Sequence, residues 1–309
     1  EKKLGLITLV LTMAYLGGVN YEDTLGTTGI WDSIIFRRLA RSRVTVLPPK
    51  KSNGEKFAGG YVKDPQVGMH DWVMSFDLNS LYPNLIIQYN MSPETLVRQS
   101  CVPNLNPDKI LEDESVTIPN ENLSVACNGA TFRRDKKGII PEIVEELYSK
   151  RVEVKKEMIQ EKIKLETISK NNQSEYFQIQ SNVARLETLQ HAIKILLNSL
   201  YGAMGNQYFR YFDLQVASAV TLSGQAVIRW GEKTVNEYIN NLMKDDKDRV
   251  IAIDTDSLYI SVNDLVEKFK PKNPVDFLDK FGSEGIEPLL EKSYKKFADM
   301  TNAYSNRMV

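Results

Sequence analysis

From Pro141 to about Asn206 the chain carries one helical pattern, interrupted at Asn171-Asn172. Glu142 to Ser169 reads as a long charged helix, and about Ser174 to Tyr201 as a second. Two long helices joined by a tight turn form an antiparallel pair. Such a pair projects from whatever body the flanking segments build. Those flanks read as strands. Trp72 to Phe76 is strand-like with Asp77 at its end, and Val250 to Ile253 with Ser257 to Val262 reads as a hairpin around Asp254-Thr255-Asp256. The order is strand, insertion, helix pair, helix, hairpin, helix. It predicts an α+β body with a helical insertion.

The remaining segments fill in that plan. Leu4 to Leu16 is apolar but holds Thr8, Thr12 and Tyr15, and it reads as a buried helix. Trp31 to Leu39 reads as a short helix, and Lys50 to Gly60, after Pro48-Pro49, as loop. Pro83 to Tyr89 starts a helix, since proline is tolerated in a first turn. Pro103 to Asn122 reads as a polar, turn-rich excursion. Ala130 to Arg134 with Ile139-Ile140 reads as a hairpin about Asp135-Lys136-Lys137-Gly138. Leu214 to Lys244 is a long helix, Asp245 to Asp248 a solvated turn, and Val275 to Tyr304 mostly helical.

Composition excludes more than it assigns. The formal net charge of −1 points neither to nucleic acid nor to a membrane. One local run departs from that balance: from Arg37 to Lys56 there are seven basic residues and one acid, Glu55. Such a run can touch phosphate, although a solvated surface gives the same pattern. Two histidines, His70 and His191, exclude a histidine-rich metal site, and Cys101 and Cys127 form no metal motif and read as free thiols in a reducing compartment. No run reaches the length of a membrane span. The chain begins at Glu1 and is expected to be a piece of something longer.

The chemistry sits in three short segments: Ser75-Phe-Asp-Leu-Asn-Ser-Leu-Tyr-Pro83, Lys194-Ile-Leu-Leu-Asn-Ser-Leu-Tyr-Gly202 and Ile253-Asp-Thr-Asp-Ser257. Two acids on strands can hold divalent cations. Mg²⁺ takes one or two protein carboxylates and completes its octahedron with substrate phosphates. Two such ions, roughly 4 Å apart, would clamp the attacking and leaving oxygens of an in-line displacement. Asp77 and Asp256 are the first candidates, with Asp254 two residues away. The same triplet also suits a turn whose side chains cap its own backbone.

The helix around Lys194 narrows the chemistry. Ile193, Leu196, Leu197 and Leu200 share one face at helical spacing. Lys194, Asn198 and Tyr201 share another, giving a cation, an amide and a ring one turn apart. A triphosphate needs such a cation, and a base or sugar can pack on such a ring; a plain amphipathic face is the alternative. Arg151 and Lys155, at i and i+4, add two positive charges, with Glu145, Glu146 and Glu153 near enough for ordinary pairing. Ser80-Leu81-Tyr82 forms a strand-to-helix turn whose N–H groups can take phosphate oxygens. Tyr82 suits a place under a sugar or, equally, in a core.

Together these segments resemble family B DNA polymerases, with the closest similarity to the replicative enzymes of T-even-like bacteriophages. Asp77-Leu-Asn-Ser-Leu-Tyr-Pro83 resembles the family's motif A, Lys194 with Asn198-Ser-Leu-Tyr-Gly202 motif B, and Asp254-Thr-Asp-Ser257 motif C. The similarity extends through Trp31 to Phe36, Met91 to Thr95, Gly205 to Leu214, Val235 to Tyr238 and Val275 to Phe281. It implies a palm, an antiparallel sheet with packed helices, holding an inserted helix-pair fingers subdomain. It divides the chain into 1–56 (a segment leading from an exonuclease region), 57–143 and 207–309 (palm) and 144–206 (fingers). It further implies template-directed DNA synthesis in replication, using two Mg²⁺ ions, with Mn²⁺ able to substitute. The implied partners are primer-template DNA and dNTP, with a sliding clamp reached through parts outside this chain. The implied place is the cytoplasm of a phage-infected bacterium.

Roles follow from the same resemblance. Asp77, Asp256 and the Leu78 carbonyl match metal ligands. Ser80, Leu81 and Tyr82 match the triphosphate turn, with Tyr82 the sugar-selecting ring. Arg151, Lys155, Lys194 and Asn198 match nucleotide-binding residues, and Tyr201 and Gly202 the surface under the nascent pair. Phe57-Ala-Gly59-Gly60-Tyr61 resembles a template-contacting segment.

The chain departs from the family at three points. Ala252-Ile253 stand where Tyr-Gly usually precedes Asp-Thr-Asp. The helical insertion is shorter than in the T-even enzymes, which implies compact fingers. No exonuclease, primer-strand or thumb motif is recognised. A fragment that binds nucleotide or nucleic acid without turnover is therefore the competing expectation. A different palm enzyme, such as a reverse transcriptase or nucleotidyl cyclase, shares the acids but not the Asn-Ser-Leu-Tyr-Gly helix.

Overall fold

The computed structural model describes residues 5–43, 57–168 and 173–305. In chain order its elements are α1 (Leu6–Gly17), α2 (Thr27–Arg41), β1 (Val62–Lys63), β2 (Val73–Asp77), α3 (Leu81–Tyr89), α4 (Pro107–Asp113), β3 (Leu123–Val125), β4 (Thr131–Arg133), α5 (Ile139–Thr167), α6 (Gln173–Met204), α7 (Leu214–Met243), β5 (Val250–Asp254), β6 (Ser257–Ser261), α8 (Asn263–Phe269), α9 (Pro274–Phe281) and α10 (Glu287–Met300). The expected α+β fold is present. The chain divides into two compact units, one of Glu1–Glu55 with Ile139–Asp213, the other of Lys56–Gly138 with Leu214–Val309.

In the first unit α5 and α6 pair along their length, with Val154, Met158, Leu186 and Leu189 packed between them. α2 fixes their direction. Its Arg38 pairs with Glu142 near the start of α5, and its Trp31 indole donates to the Leu196 carbonyl and to Ser199 Oγ near the end of α6, each at 3.2 Å. The pair is therefore antiparallel, as the sequence predicts. The expected turn at Asn171-Asn172 lies outside the described residues, as does most of the expected 50–60 loop. α1 corrects the sequence reading. It is helical, but Met13, Ala14 and Gly17 are buried while Leu6, Ile7, Leu11 and Tyr15 are exposed. Among the described residues of this unit only one of its faces is covered.

In the second unit four antiparallel strands form a sheet in the order β1-β5-β6-β2. α7 lies against it, and Val220, Ala226, Ile228 and Val235 are all buried. α7 and α10 approach closely at Gly231, where a Cβ would lie 2.3 Å from the Tyr294 hydroxyl. β5 is tied down by Lys63, whose ammonium reaches Glu232 at 2.5 Å, Asp248 at 2.6 Å and the Val250 carbonyl at 2.7 Å. Arg249, 3% exposed, bridges Asp245 and Asp264. The 245–248 turn thus anchors the sheet through two of its acids and is not simply solvated.

Two further expectations are corrected. β4 does not pair with Ile139-Ile140. It pairs backwards with β3, in the register Leu123↔Arg133 and Val125↔Thr131. The reversal is made at Gly129, whose φ of +79° suits glycine and where a Cβ would sit 2.0 Å from the Val102 carbonyl oxygen. Ile139 instead opens α5. The polar excursion contains α4, a helix hidden by its short length and low apolar content. Asn106 caps it, its Oδ1 accepting from the Lys109 N–H at 2.9 Å, and Pro107 occupies the first turn. Asn106→Ala is expected to destabilise the chain by about 1 kcal/mol, read as a lower denaturant midpoint; an unchanged midpoint would show the cap to be idle. Cys101 and Cys127 are both free, and burial pushes the Cys127 thiol up to about 12.

Candidate active site

The second unit gathers three acids at one end of its sheet. β2 ends at Asp77 and β5 at Asp254, and both lie opposite Ser257, the first residue of β6. Asp256 occupies the tight turn between β5 and β6. That turn is held by several backbone contacts. Thr255 takes a left-handed φ of 57°. Its N–H donates to the Tyr61 carbonyl at 2.9 Å, and the Leu78 N–H donates to the Asp256 carbonyl at 2.8 Å. The hairpin tip is thereby bonded both to the segment after β2 and to the segment before β1. Ser257 Oγ donates to Asp77 Oδ2 at 3.2 Å and orients that carboxylate.

Electrostatics mark Asp256. Its pKa is raised, first by burial, then by the negative charge of Asp77, with a smaller contribution from Asp254. Burial and nearby like charges both disfavour the ionised carboxylate. Among the described residues no group of three or more His, Cys, Asp or Glu side chains forms a ready-made cage. A hard cation at this sheet end would take two carboxylates from the chain and its remaining oxygens from elsewhere. The carboxylates of Asp77 and Asp256 fit such an ion, whose charge would relieve the repulsion at Asp256.

Beside the acids, Ser80 holds φ 56° and α3 begins at Leu81, two residues earlier than the sequence suggests. Tyr82 is not simply a core ring. It is half-buried, and its place is defined by two glycines. A Cβ on Gly224 would lie 2.9 Å from Tyr82 Cε1, and one on Gly60 would lie 3.1 Å from its hydroxyl and 2.9 Å from Thr255 Oγ1. Gly60 therefore bridges Tyr82 and the acidic turn. Gln225 Nε2 donates to the Gly59 carbonyl at 2.6 Å, and the Arg229 guanidinium lies 5.2 Å from the centre of the Tyr61 ring. Gly59, Gly60, Tyr61, Tyr82, Asp77, Asp254 and Asp256 are brought to one end of this unit. Gly224, Gln225 and Arg229 escaped the sequence reading, and Ser257 entered it only as the end of the third segment and the start of a strand. A glycine inside the α7 pattern was the available signal.

Ala252-Ile253 leave the strand intact. Ile253 is buried and pairs with Leu258, and the irregularity in β5 falls earlier, between Val250 and Ala252.

The other candidates belong to the first unit. On α6 Ile193, Leu196, Leu197 and Leu200 are at most 1% exposed, while Lys194 and Asn198 are exposed and Tyr201 is half-buried. The two-faced helix predicted from spacing is present. A Cβ on Gly202 would meet nothing within 4 Å. On α5 Lys155 is exposed, and Arg151 is partly buried with its Nε lacking a hydrogen-bond partner.

The chain is similar to known proteins. The model of DNA polymerase family B matches residues 30–270. The DNA-directed DNA polymerases of Enterobacteria phage T4 and Escherichia phage RB69 are 33% and 31% identical over 98% of this chain. The chain covers 38% of each of those proteins. A DNA polymerase of Thermococcus gorgonarius is 30% identical over 79% of this chain, which covers 26% of that protein. Among the described residues no helix is long and apolar enough to cross a membrane.

Proposed function

This chain belongs to DNA polymerase family B, and from that premise we propose that it carries the palm (57–143 and 207–309) and fingers (144–206) of a template-directed polymerase, with 1–56 leading into them. The reaction is transfer of dNMP from dNTP to a primer 3′-hydroxyl during DNA replication, acting in the cytoplasm of a phage-infected bacterium. A sliding clamp would be reached through parts outside this chain. The observation that carries the reading is the convergence of Asp77, Asp254 and Asp256 at one sheet end, beside the start of α3 and the Tyr82 ring.

Asp77, Asp256 and the Leu78 carbonyl would hold two Mg²⁺ ions, or Mn²⁺ in their place. When bound, such ions stabilise charge on the attacking and leaving oxygens of an in-line displacement. The chain's own groups position the reactants. Ser80 and Leu81 present the helix start to phosphate oxygens. Tyr82, seated on Gly224, offers its ring edge to the sugar and leaves little room for a 2′-hydroxyl. Lys194, Asn198, Arg151 and Lys155 neutralise and orient the triphosphate. Tyr201 and Gly202 form the floor under the nascent pair, and Gly59, Gly60 and Tyr61 contact the template. Phosphoryl transfer needs such positioning and charge stabilisation more than covalent help from the protein.

Primer extension by this chain tests the reading. Mg²⁺-dependent extension that is lost in Asp256→Ala supports it, and extension untouched by that substitution would overturn the ligand assignment. The chain spans 38% of the length of its phage relatives, and the second reading is a module that binds nucleotide or nucleic acid without turnover. Mg²⁺-dependent primer-template binding with no extension would select it.

A further inference from the structure

We propose that a second nucleotide site, separate from the acidic sheet end, lies in the first unit between α1, α2 and the start of α5. It takes a phosphate on a basic rim and the attached nucleoside on an apolar floor. The cavity measures about 340 Å³ and is partly open. Leu16, Ile34 and Leu147 line its floor, and Arg37, Arg41 and Lys150 its rim. This size and this division of surfaces suit one nucleotide.

The charge balance favours an anion. Arg38 and Glu146 also line the cavity, and Arg38 pairs with both Glu142 and Glu146. Against those two acids stand four cations, Arg37, Arg38, Arg41 and Lys150, so the rim stays positive. Arg41 and Lys150 are exposed and free to meet a ligand. Arg37 is the built element. One of its terminal nitrogens donates to the Leu16 carbonyl at 3.0 Å, its guanidinium fills the space beside Gly18, and its Nε is buried with no hydrogen-bond partner. A guanidinium fixed in this way keeps its charge at the cavity wall without a carboxylate to neutralise it. Arg37, Arg38 and Arg41 also open the basic run from Arg37 to Lys56.

The shared chemistry is a nucleotide phosphate, supplied by a single-stranded nucleic acid or by a free nucleotide. The strand as source rests on the polymerase reading; the anion site does not. Fluorescence anisotropy of this chain with labelled (dT)10 over a salt series tests it, with Arg41→Glu/Lys150→Glu as the variant and Lys292→Glu, an exposed site on α10, as the charge-matched control. The double variant is expected to bind at least about tenfold more weakly at low salt. Its log–log salt slope should fall by about 1.4, the value for two lost single-strand phosphate contacts. If dTMP and pyrophosphate fail to displace the oligonucleotide, the strand is the occupant. If dTMP displaces it from wild type with the same dependence on Arg41 and Lys150, the free nucleotide is. Equal binding by the double variant and the control, or no binding of any probe by wild type, overturns the site. Asp256→Ala should leave these differences unchanged, so failure of the polymerase reading would be seen separately.

Discussion

Replacing Asp256 with asparagine is expected to reduce nucleotide incorporation by about 10²–10³-fold, the scale on which a preorganised electrostatic group acts. Asp77→Asn should do the same. Asparagine keeps the volume and removes the charge, so a loss of this size would report the electrostatics and not a collapsed turn. Single-turnover extension of a labelled primer measures it. A loss under tenfold in both variants would remove Asp77 and Asp256 from the reacting centre.

The stability of the same variant should move in the other direction. Burial and the charges of Asp77 and Asp254 raise the Asp256 pKa, so the folded chain binds this proton more tightly than the unfolded chain does. Stability from this group is therefore fullest below the unfolded carboxylate range and falls as pH rises through the raised folded pKa. At neutral pH without metal, Asp256→Asn removes that cost, and its unfolding midpoint should equal or exceed that of wild type. Mg²⁺ should raise the wild-type midpoint by mass action and leave the variant nearly unmoved. A variant that is less stable without metal would show Asp256 to be a structural cap, the turn reading its sequence also allows.

The positions of the acids and of the two-faced helix were more legible than the joints. Asp77 and Asp254 were readable because each closes an apolar run, Asp256 because it follows two residues later, and α6 because its two faces repeat at helical spacing. What the sequence concealed depends on contacts between distant segments. Gly60 says little until it is seen against both Thr255 and Tyr82, and Gly224 only marks a helix interior until a ring lies on it. β4 was paired with the wrong partner because the basic turn after Arg134 resembles a hairpin loop, whereas the left-handed Gly129 upstream makes the actual reversal. α1 was expected to be buried because apolar content carries no information about how many faces find neighbours. The acids of the 245–248 turn read as solvated because Lys63 and Arg249, which pair with them, are recognisable as partners only once the sheet is assembled.

Trp31→Ala is expected to cost about 3–5 kcal/mol, the range for deleting a large buried ring. Trp31 is fully buried, and its indole N–H is shared between the Leu196 carbonyl and Ser199 Oγ. Those acceptors lie on α6, in the turn that carries Asn198 and one turn beyond Lys194. The substitution therefore loosens the helix that would present the triphosphate-binding cation. Hydrogen exchange should show it directly, with amides of α2 and α6 exchanging about 10²–10³-fold faster, the equilibrium change that such a cost implies. The β5–β6 amides should keep their protection. Trp31→Phe separates packing from the polar contact. It keeps most of the ring volume, and Ser199 Oγ still donates to the Leu196 carbonyl at 2.8 Å, so its cost should fall to about 1 kcal/mol. If phenylalanine were as damaging as alanine, the indole N–H and not the buried ring would be what holds α2 to α6.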